Sequence, residues 1–334
     1  MTALLDRYDA LLLDLDGTVY RGGAAVDGAE PAIRAAQQAG VAIRYVTNNA
    51  SRGPREVADH LNRLGIPAKE DEVSTSAQAA AGLLVDRIPK AAEVLILGTE
   101  ALAAEVETRG FTPVRQANPD VAAVLQGLSQ QLTWQDLAEA CLAIRGGALW
   151  VASNTDLTLP TERGLLPGNG ALVAALAAAT DAKPLVAGKP ARPLMDEAIR
   201  AAGATHPLAI GDRLDTDIEG ALNVGIDALL VLTGVSTATD LLAAPANQRP
   251  HYVAANLTAI ESAPEELTIT PQSGWQATVT DDGLHLRYTG QDPHPDPLPA
   301  LRALCAAWWP SNSGPATIHP EDEQSKAIMS ALGG

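Results

Sequence analysis

Basic residues are scarce: 23 Lys and Arg stand against 40 Asp and Glu, a formal net charge of −17. A footprint on backbone phosphates needs clustered cations, so nucleic acid and anionic membrane surfaces are excluded as partners. Aromatics are few as well, with one Phe, five Tyr and five Trp, and they form no stripe on which bases could stack. No apolar run approaches the ~20 residues of a membrane helix; the longest, such as 171–179 and 229–232, are far shorter. The N-terminal segment has no basic stretch leading into an apolar one, so no secretion signal is expected. Two cysteines, Cys141 and Cys305, exclude a disulfide framework and read as buried thiols in a reducing compartment. No internal repeat occurs. The expectation is an acidic, soluble, cytoplasmic protein.

What is present is apolar and patterned. Hydrophobic residues make up 46% of 334, enough for a large core, and the length is about twice the ~150 residues of a typical domain. Short apolar runs alternate with helical patterns, which predicts helices on a mostly parallel sheet. Strands are expected at 10–13, 41–46, 207–210 and 228–232, followed respectively by Asp14, Thr47-Asn48-Asn49, Gly211-Asp212 and Thr233-Gly234. Ligands of open α/β sheets bind at the carboxyl ends of strands, so these endings should converge on one site. Helices are expected from Pro54 to Leu64, ahead of Gly65, and from Pro190 to about Ala202, ahead of Gly203.

A separate α/β block lies between the second and third strands, with strands at 94–97, 121–125 and 149–152 and helices at 101–109 and 133–145. The predicted division is a first domain of 1–78 and 183–262, an inserted block of 79–182 that reads as a lid, and an α+β unit of 263–334. In that last unit, alternation at 275–280 and 284–289 around Asp282-Gly283 signals a hairpin. A Pro-rich loop at 293–297 then precedes helices at 298–309 and about 321–332.

Four clusters could carry chemistry. Asp14 and Asp16 are two residues apart and can point to one side of a strand end. Thr47-Asn48-Asn49 offers hydroxyl and amide groups suited to phosphate oxygens near a helix start. Lys189, between Gly188 and Pro190, is a cation at another helix start. Asp212, Asp215 and Asp217 follow a further strand. Each alone has an ordinary reading: a turn or cation loop, a polar loop, a solvated lysine, a helix cap.

Taken in order, Asp-x-Asp-Gly-Thr, Thr-Asn-Asn, Lys and Gly-Asp-x-x-x-x-Asp resemble the four motifs of haloacid dehalogenase superfamily phosphatases. The inserted block resembles that superfamily's C2-type cap. Gly211-Asp-Arg-Leu-Asp-Thr-Asp-Ile218, Leu232-Thr-Gly-Val-Ser236 and the stretch from Ser153-Asn154-Thr155-Asp156 to Pro167-Gly168 look like its nitrophenyl-phosphatase-like subfamily. The resemblance covers about residues 8–260. It implies an α/β fold: a Rossmann-like parallel-sheet core, an inserted α/β cap and a small C-terminal α+β unit. It further implies Asp14 as nucleophile and Asp16 as general acid, then base. Mg²⁺ would be held by the carboxylates of Asp14 and Asp212, the main-chain carbonyl of Asp16, and Asp217 directly or through water. Asp215 would stand beside this set or cap the helix. Thr47, Asn48 and Lys189 would hold the phosphate, and Asp156, Thr161 and Arg163 would read the leaving group.

The substrate implied is a small phosphorylated metabolite, glycerol 3-phosphate first. Phosphoglycolate, nucleoside monophosphates, pyridoxal phosphate and sugar phosphates are alternatives, as is a silent scaffold. The C-terminal unit resembles the reduced acetyltransferase-like extension of some actinobacterial glycerol-phosphate phosphatases. It carries no Arg/Gln-x-x-Gly-x-Gly/Ala loop for a pyrophosphate and is expected to be an appendage rather than an acyl-CoA-sensing or transferase site. Relatives often pair through their caps, which leaves a homo-oligomer open. The six histidines show no local ligand spacing and read as structural or surface residues. Trp308-Trp309 reads as a core or domain-contact pair.

Overall fold

Four apolar runs buried along nearly their whole length pair side by side in one part of the chain. A computed structural model describes residues 2–161, 163–311 and 314–332. Its contacts divide the chain into two compact units, Met1–Ile43, Leu64–Pro67 and Ala202–Gly334 in one, Arg44–Arg63 and Ala68–Ala201 in the other. Among the described residues no helix is long and apolar enough to cross a membrane.

In the first unit, Ala10–Leu13 is buried at every position, as is Pro207–Gly211. Continuous rather than alternating apolarity is what burial on both faces of a parallel sheet requires. The two pair in parallel with Ala10 opposite Pro207, and Asp227–Val231 and Tyr252–Ala254 extend the sheet in the same sense. Helix Ala29–Gln38, which the sequence reading did not place, buries Ala29, Ala32, Ile33 and Ala36, one stripe at helical spacing.

The extension lies in this same unit. Trp275–Thr280 and Gly283–Tyr288 form the expected antiparallel hairpin, and Ile318–Pro320 adds an unexpected third strand parallel to the second. Helix Pro297–Trp308 starts with Pro after Asp296, whose carboxylate accepts the Leu298 N–H. It packs on the hairpin, on helix Ala238–Leu242 and on strand Tyr252–Ala254. Trp309 packs within this unit: its indole N–H donates to Leu242 O at 3.2 Å, and the Arg249 guanidinium lies 5.1 Å over its ring.

In the second unit, a five-stranded parallel sheet runs in the order Leu185–Val186, Leu149–Ala152, Val121–Gln126, Glu93–Leu97, Thr112–Val114. Helices Trp134–Arg145 and Asn169–Thr180 cover it, burying Ala140, Ile144, Val173 and Leu176 against Leu95, Val124 and Trp150. A second strand pair sets Tyr45–Thr47 beside Val73–Thr75. Thr158–Thr161 and Gly164–Pro167 make an antiparallel hairpin. One helix starts later than expected, at Arg192 instead of Pro190. A turn closed by the Ala191 N–H on Gly188 O occupies the intervening residues and carries Lys189.

Candidate active site

Asp14, Asp16, Asp212 and Asp217 belong to the first unit; Thr47, Asn48, Asp156, Thr161, Arg163 and Lys189 belong to the second. Each group is organised by its own strand ends.

Asp14 follows Ala10–Leu13 directly, and its N–H donates to Ile210 O of the neighbouring strand at 2.9 Å. One carboxylate oxygen from each of Asp14, Asp212 and Asp217 lies within 4.8 Å of the other two. Asp212 is fully buried and Asp217 nearly so. Asp212 Oδ2 accepts the Val235 N–H at 2.6 Å, and Asp217 Oδ2 accepts the Arg213 N–H at 3.1 Å. The widened turn Leu214–Ile218 places Asp217 at the end of strand Pro207–Gly211.

Three glycines make room for these carboxylates. A Cβ at Gly234 would stand 1.9 Å from Asp212 Oδ2, one at Gly17 2.5 Å from the same atom, and one at Gly211 2.3 Å from the Asp217 Cβ. Gly17 also holds φ at +96°, in the left-handed region that favours glycine. Its carbonyl accepts the Thr233 hydroxyl at 2.6 Å, and Arg21 donates to Thr233 O, so the two loops are tied together.

Asp16 retains solvent access. Its carboxyl is nevertheless held above the usual range, because loss of water around it outweighs the Arg21 charge and a Gly22 N–H bond. Asp215 stands outside the carboxylate trio. Arg213 grips it with two bonds, at 3.0 and 2.8 Å, and its pKa is lowered although burial pushes the other way.

In the second unit, Lys189 is almost fully buried, and its ammonium donates to Val46 O at 3.0 Å. The Asn48 side chain clamps the Lys189 main chain: Asn48 Nδ2 donates to Lys189 O at 2.9 Å, and the Lys189 N–H donates back to Asn48 Oδ1 at 2.8 Å. Gly188 permits the clamp, since a Cβ there would lie 2.6 Å from Asn48 Oδ1. Thr47, also buried, accepts the Asn49 N–H at 3.1 Å.

Asp156 accepts from Asn48 Nδ2 at 3.3 Å. Thr161 and Arg163 sit elsewhere, at the hairpin turn, where the Thr161 hydroxyl donates to Gly164 O and accepts the Arg163 N–H. Asn154, to which sequence reading assigned no individual role, joins this group. It is buried, donates to Asn48 O at 2.7 Å, and receives the Asp156 N–H on its side-chain oxygen. It falls within the Ser153–Asp156 stretch that resembles the nitrophenyl-phosphatase-like subfamily, but nothing local says what it touches.

Three clustered carboxylates, two of them buried, repel one another unless a cation lies among them. An all-oxygen donor set suits a hard divalent ion such as Mg²⁺. A model of haloacid dehalogenase-like hydrolases matches residues 11–112, and a second, HAD-hydrolase-like model matches 186–260. A D-glycerol 3-phosphate phosphatase of Mycobacterium tuberculosis is 45% identical across 98% of this chain and 95% of its own. The chain belongs to the haloacid dehalogenase-like hydrolases.

Within that hydrolase family, the similar solved structures include a magnesium complex of an M. tuberculosis glycerol phosphate phosphatase. It shares 46% identity and a TM-score of 0.94 over 99% of both chains. A 4-nitrophenylphosphatase of Thermotoga maritima matches with a TM-score of 0.72 and 30% identity over 79% of this chain and all of its own. Beyond the hydrolase segments, residues 272–333 match a GCN5-related N-acetyltransferase-like domain.

Proposed function

We propose that this haloacid dehalogenase-like hydrolase is a Mg²⁺-dependent phosphomonoesterase acting on glycerol 3-phosphate. The carboxylate cluster of Asp14, Asp212 and Asp217 at parallel strand ends carries the reading. The choice of substrate rests on coverage. The glycerol 3-phosphate phosphatase relative spans 98% of the chain, extension included, whereas a 5′-nucleotidase of Bacillus subtilis and an acid sugar phosphatase of Staphylococcus saprophyticus span 69% and 71%.

Asp14 attacks phosphorus with a carboxylate oxygen, forming an acyl phosphate as the bond to the leaving oxygen breaks. Asp16 gives its proton to that oxygen, a role that a raised pKa favours. The resulting Asp16 carboxylate then takes a proton from water. The water oxygen attacks phosphorus, the bond to Asp14 breaks, and phosphate leaves with Asp14 restored. Asp14, the Asp16 carbonyl, Asp212 and Asp217 would hold Mg²⁺, which when bound offsets the negative charge shared by carboxylate and phosphate.

Lys189 and Thr47 serve as phosphate-holding groups, and Asn48 supports them by fixing the Lys189 main chain. Residues 1–78 and 183–262 make the catalytic core in this reading, 79–182 the cap and 263–334 the appendage. Arg163 addresses the leaving group, with Thr161 setting its turn and Asp156 bracing Asn48. Two free cysteines and the acidic balance support a cytoplasmic place.

Phosphate release from a metabolite panel, with Mg²⁺ and with excess chelator, tests the reading. Glycerol 3-phosphate should head the panel. Asp14→Asn and chelation should each abolish its hydrolysis, by ~10² or more. Absence of release from any substrate by the intact, metal-loaded protein would sink the proposal.

A further inference from the structure

No histidine pair in the sequence has local ligand spacing, yet sheet register in the extension makes one. Strands Gly283–Tyr288 and Ile318–Pro320 run parallel with His285 opposite His319. The two imidazoles stack with centroids 4.9 Å apart and 30° between their planes. The hairpin turn adds Asp282, whose Oδ1 lies 3.1 Å from His285 Nε2 and whose Oδ2 lies 3.9 Å from His319 Nε2. One ligand atom from each of the three lies within 4.8 Å of the others. His319 Nε2 also stands 3.0 Å from the Asp282 carbonyl oxygen.

Two further features shape the cluster. Glu321 follows His319 by two residues, and its Oε1 is 3.2 Å from His285 Nδ1. A carboxylate on the outer ring nitrogen sets the imidazole tautomer and turns the other nitrogen's lone pair inward, the arrangement that orients histidine ligands of metals. Gly283 adopts φ +143°, and a Cβ there would stand 2.4 Å from Thr317 O and 3.2 Å from the His319 ring. The turn is thus open on the side from which His319 approaches.

We propose that Asp282, His285 and His319 form a second metal site, specific for a late first-row divalent ion such as Zn²⁺ or Co²⁺, with Glu321 as the residue that positions His285. Two imidazoles and one carboxylate are a familiar donor set for such ions and leave a fourth position open. The oxygen-only cluster of Asp14, Asp212 and Asp217 favours Mg²⁺ instead, so donor chemistry sorts the two metals. The ion would clasp the hairpin to strand Ile318–Pro320, joining segments that ~30 residues of chain separate. Metals serve as such staples in small units with limited cores.

The tag-free full chain, stripped of metal and then held in excess Mg²⁺, is titrated with Co²⁺. One equivalent should bind despite the Mg²⁺ and develop the visible absorption of nitrogen-ligated Co²⁺. Both signals should vanish in His319→Ala and in Asp282→Asn, the latter a near-isosteric change at an exposed turn. Glu321→Gln should keep the stoichiometry and weaken affinity by about 10- to 100-fold. Zn²⁺ should raise the thermal midpoint of the wild type and leave that of Asp282→Asn unmoved. Absence of Mg²⁺-resistant Co²⁺ binding, or the same binding in both ligand variants, overturns the proposal and leaves the four side chains as an ion-pair cluster.

Discussion

The roles assigned to Asp14 and Asp16 separate according to the leaving group. Glycerol departs as an alkoxide unless a proton reaches it, whereas 4-nitrophenolate is stable without one. Asp16→Asn removes the proton but keeps the main-chain carbonyl proposed as a metal ligand. With 4-nitrophenyl phosphate, this variant should release a burst of nitrophenolate stoichiometric with enzyme. Slow turnover should follow, because the base for the second step is gone. With glycerol 3-phosphate there should be no burst, since the first step itself is slowed, by about 10²- to 10⁴-fold. Rapid-quench kinetics distinguish the two. If the variant lost both substrates alike with no burst, Asp16 would be positioning the site rather than moving a proton.

At the scale of the element, the strand ends do their work through what is missing from them. Gly17, Gly211 and Gly234 leave the space that Asp212 and Asp217 fill. Gly234→Ala would put a methyl group 1.9 Å from Asp212 Oδ2, with the Asp212 Cβ itself 2.6 Å away, so rotating the carboxylate cannot relieve the clash. Half-saturation by Mg²⁺ should rise at least ~10-fold, about 1.4 kcal/mol, with a fall in turnover. Gly23→Ala meets nothing within 4 Å and is the control. A Mg²⁺ activation curve unchanged in Gly234→Ala would mean that Asp212 is not a ligand.

These strand ends were legible because burial on both faces turns Ala10–Leu13 and residues 228–232 into unbroken apolar runs that stop at polar residues. Val73–Thr75 and Ile318–Pro320 were not, being three residues long with no alternation to read. The exposed Leu165 and Leu166 of the hairpin at 164–167 hid it in the same way. The contacts of Asn154 and the pairing of His285 with His319 were hidden for another reason. Their meaning depends on partners brought together by sheet register and loop packing, which local spacing does not encode.

At the scale of the molecule, the extension packs against the rest of the first unit through a buried helix. Helix Pro297–Trp308 buries six consecutive residues, Ala300 to Cys305, so it is covered on all sides. That is why its sequence lacks the polar face of a surface helix. Sheet Trp275–Tyr288 covers part of it, and helix Ala238–Leu242 with strand Tyr252–Ala254 covers the rest. Arg302 lies inside this contact, 4% exposed, and donates to Val253 O at 2.8 Å. Burial lowers its pKa, opposed by the charges of Asp296 and Glu266. Arg302→Ala deletes a charged donor and leaves a buried carbonyl and a cavity. The expected loss is about 1.5–3 kcal/mol, read as a lower urea midpoint with an unchanged slope. The loss should appear in the transition of the hydrolase core itself. If Arg302→Ala instead split off an early transition of the extension and left the core midpoint where it was, residues 263–334 would be an independent domain, and their junction with Val253 and Leu242 would carry no stability.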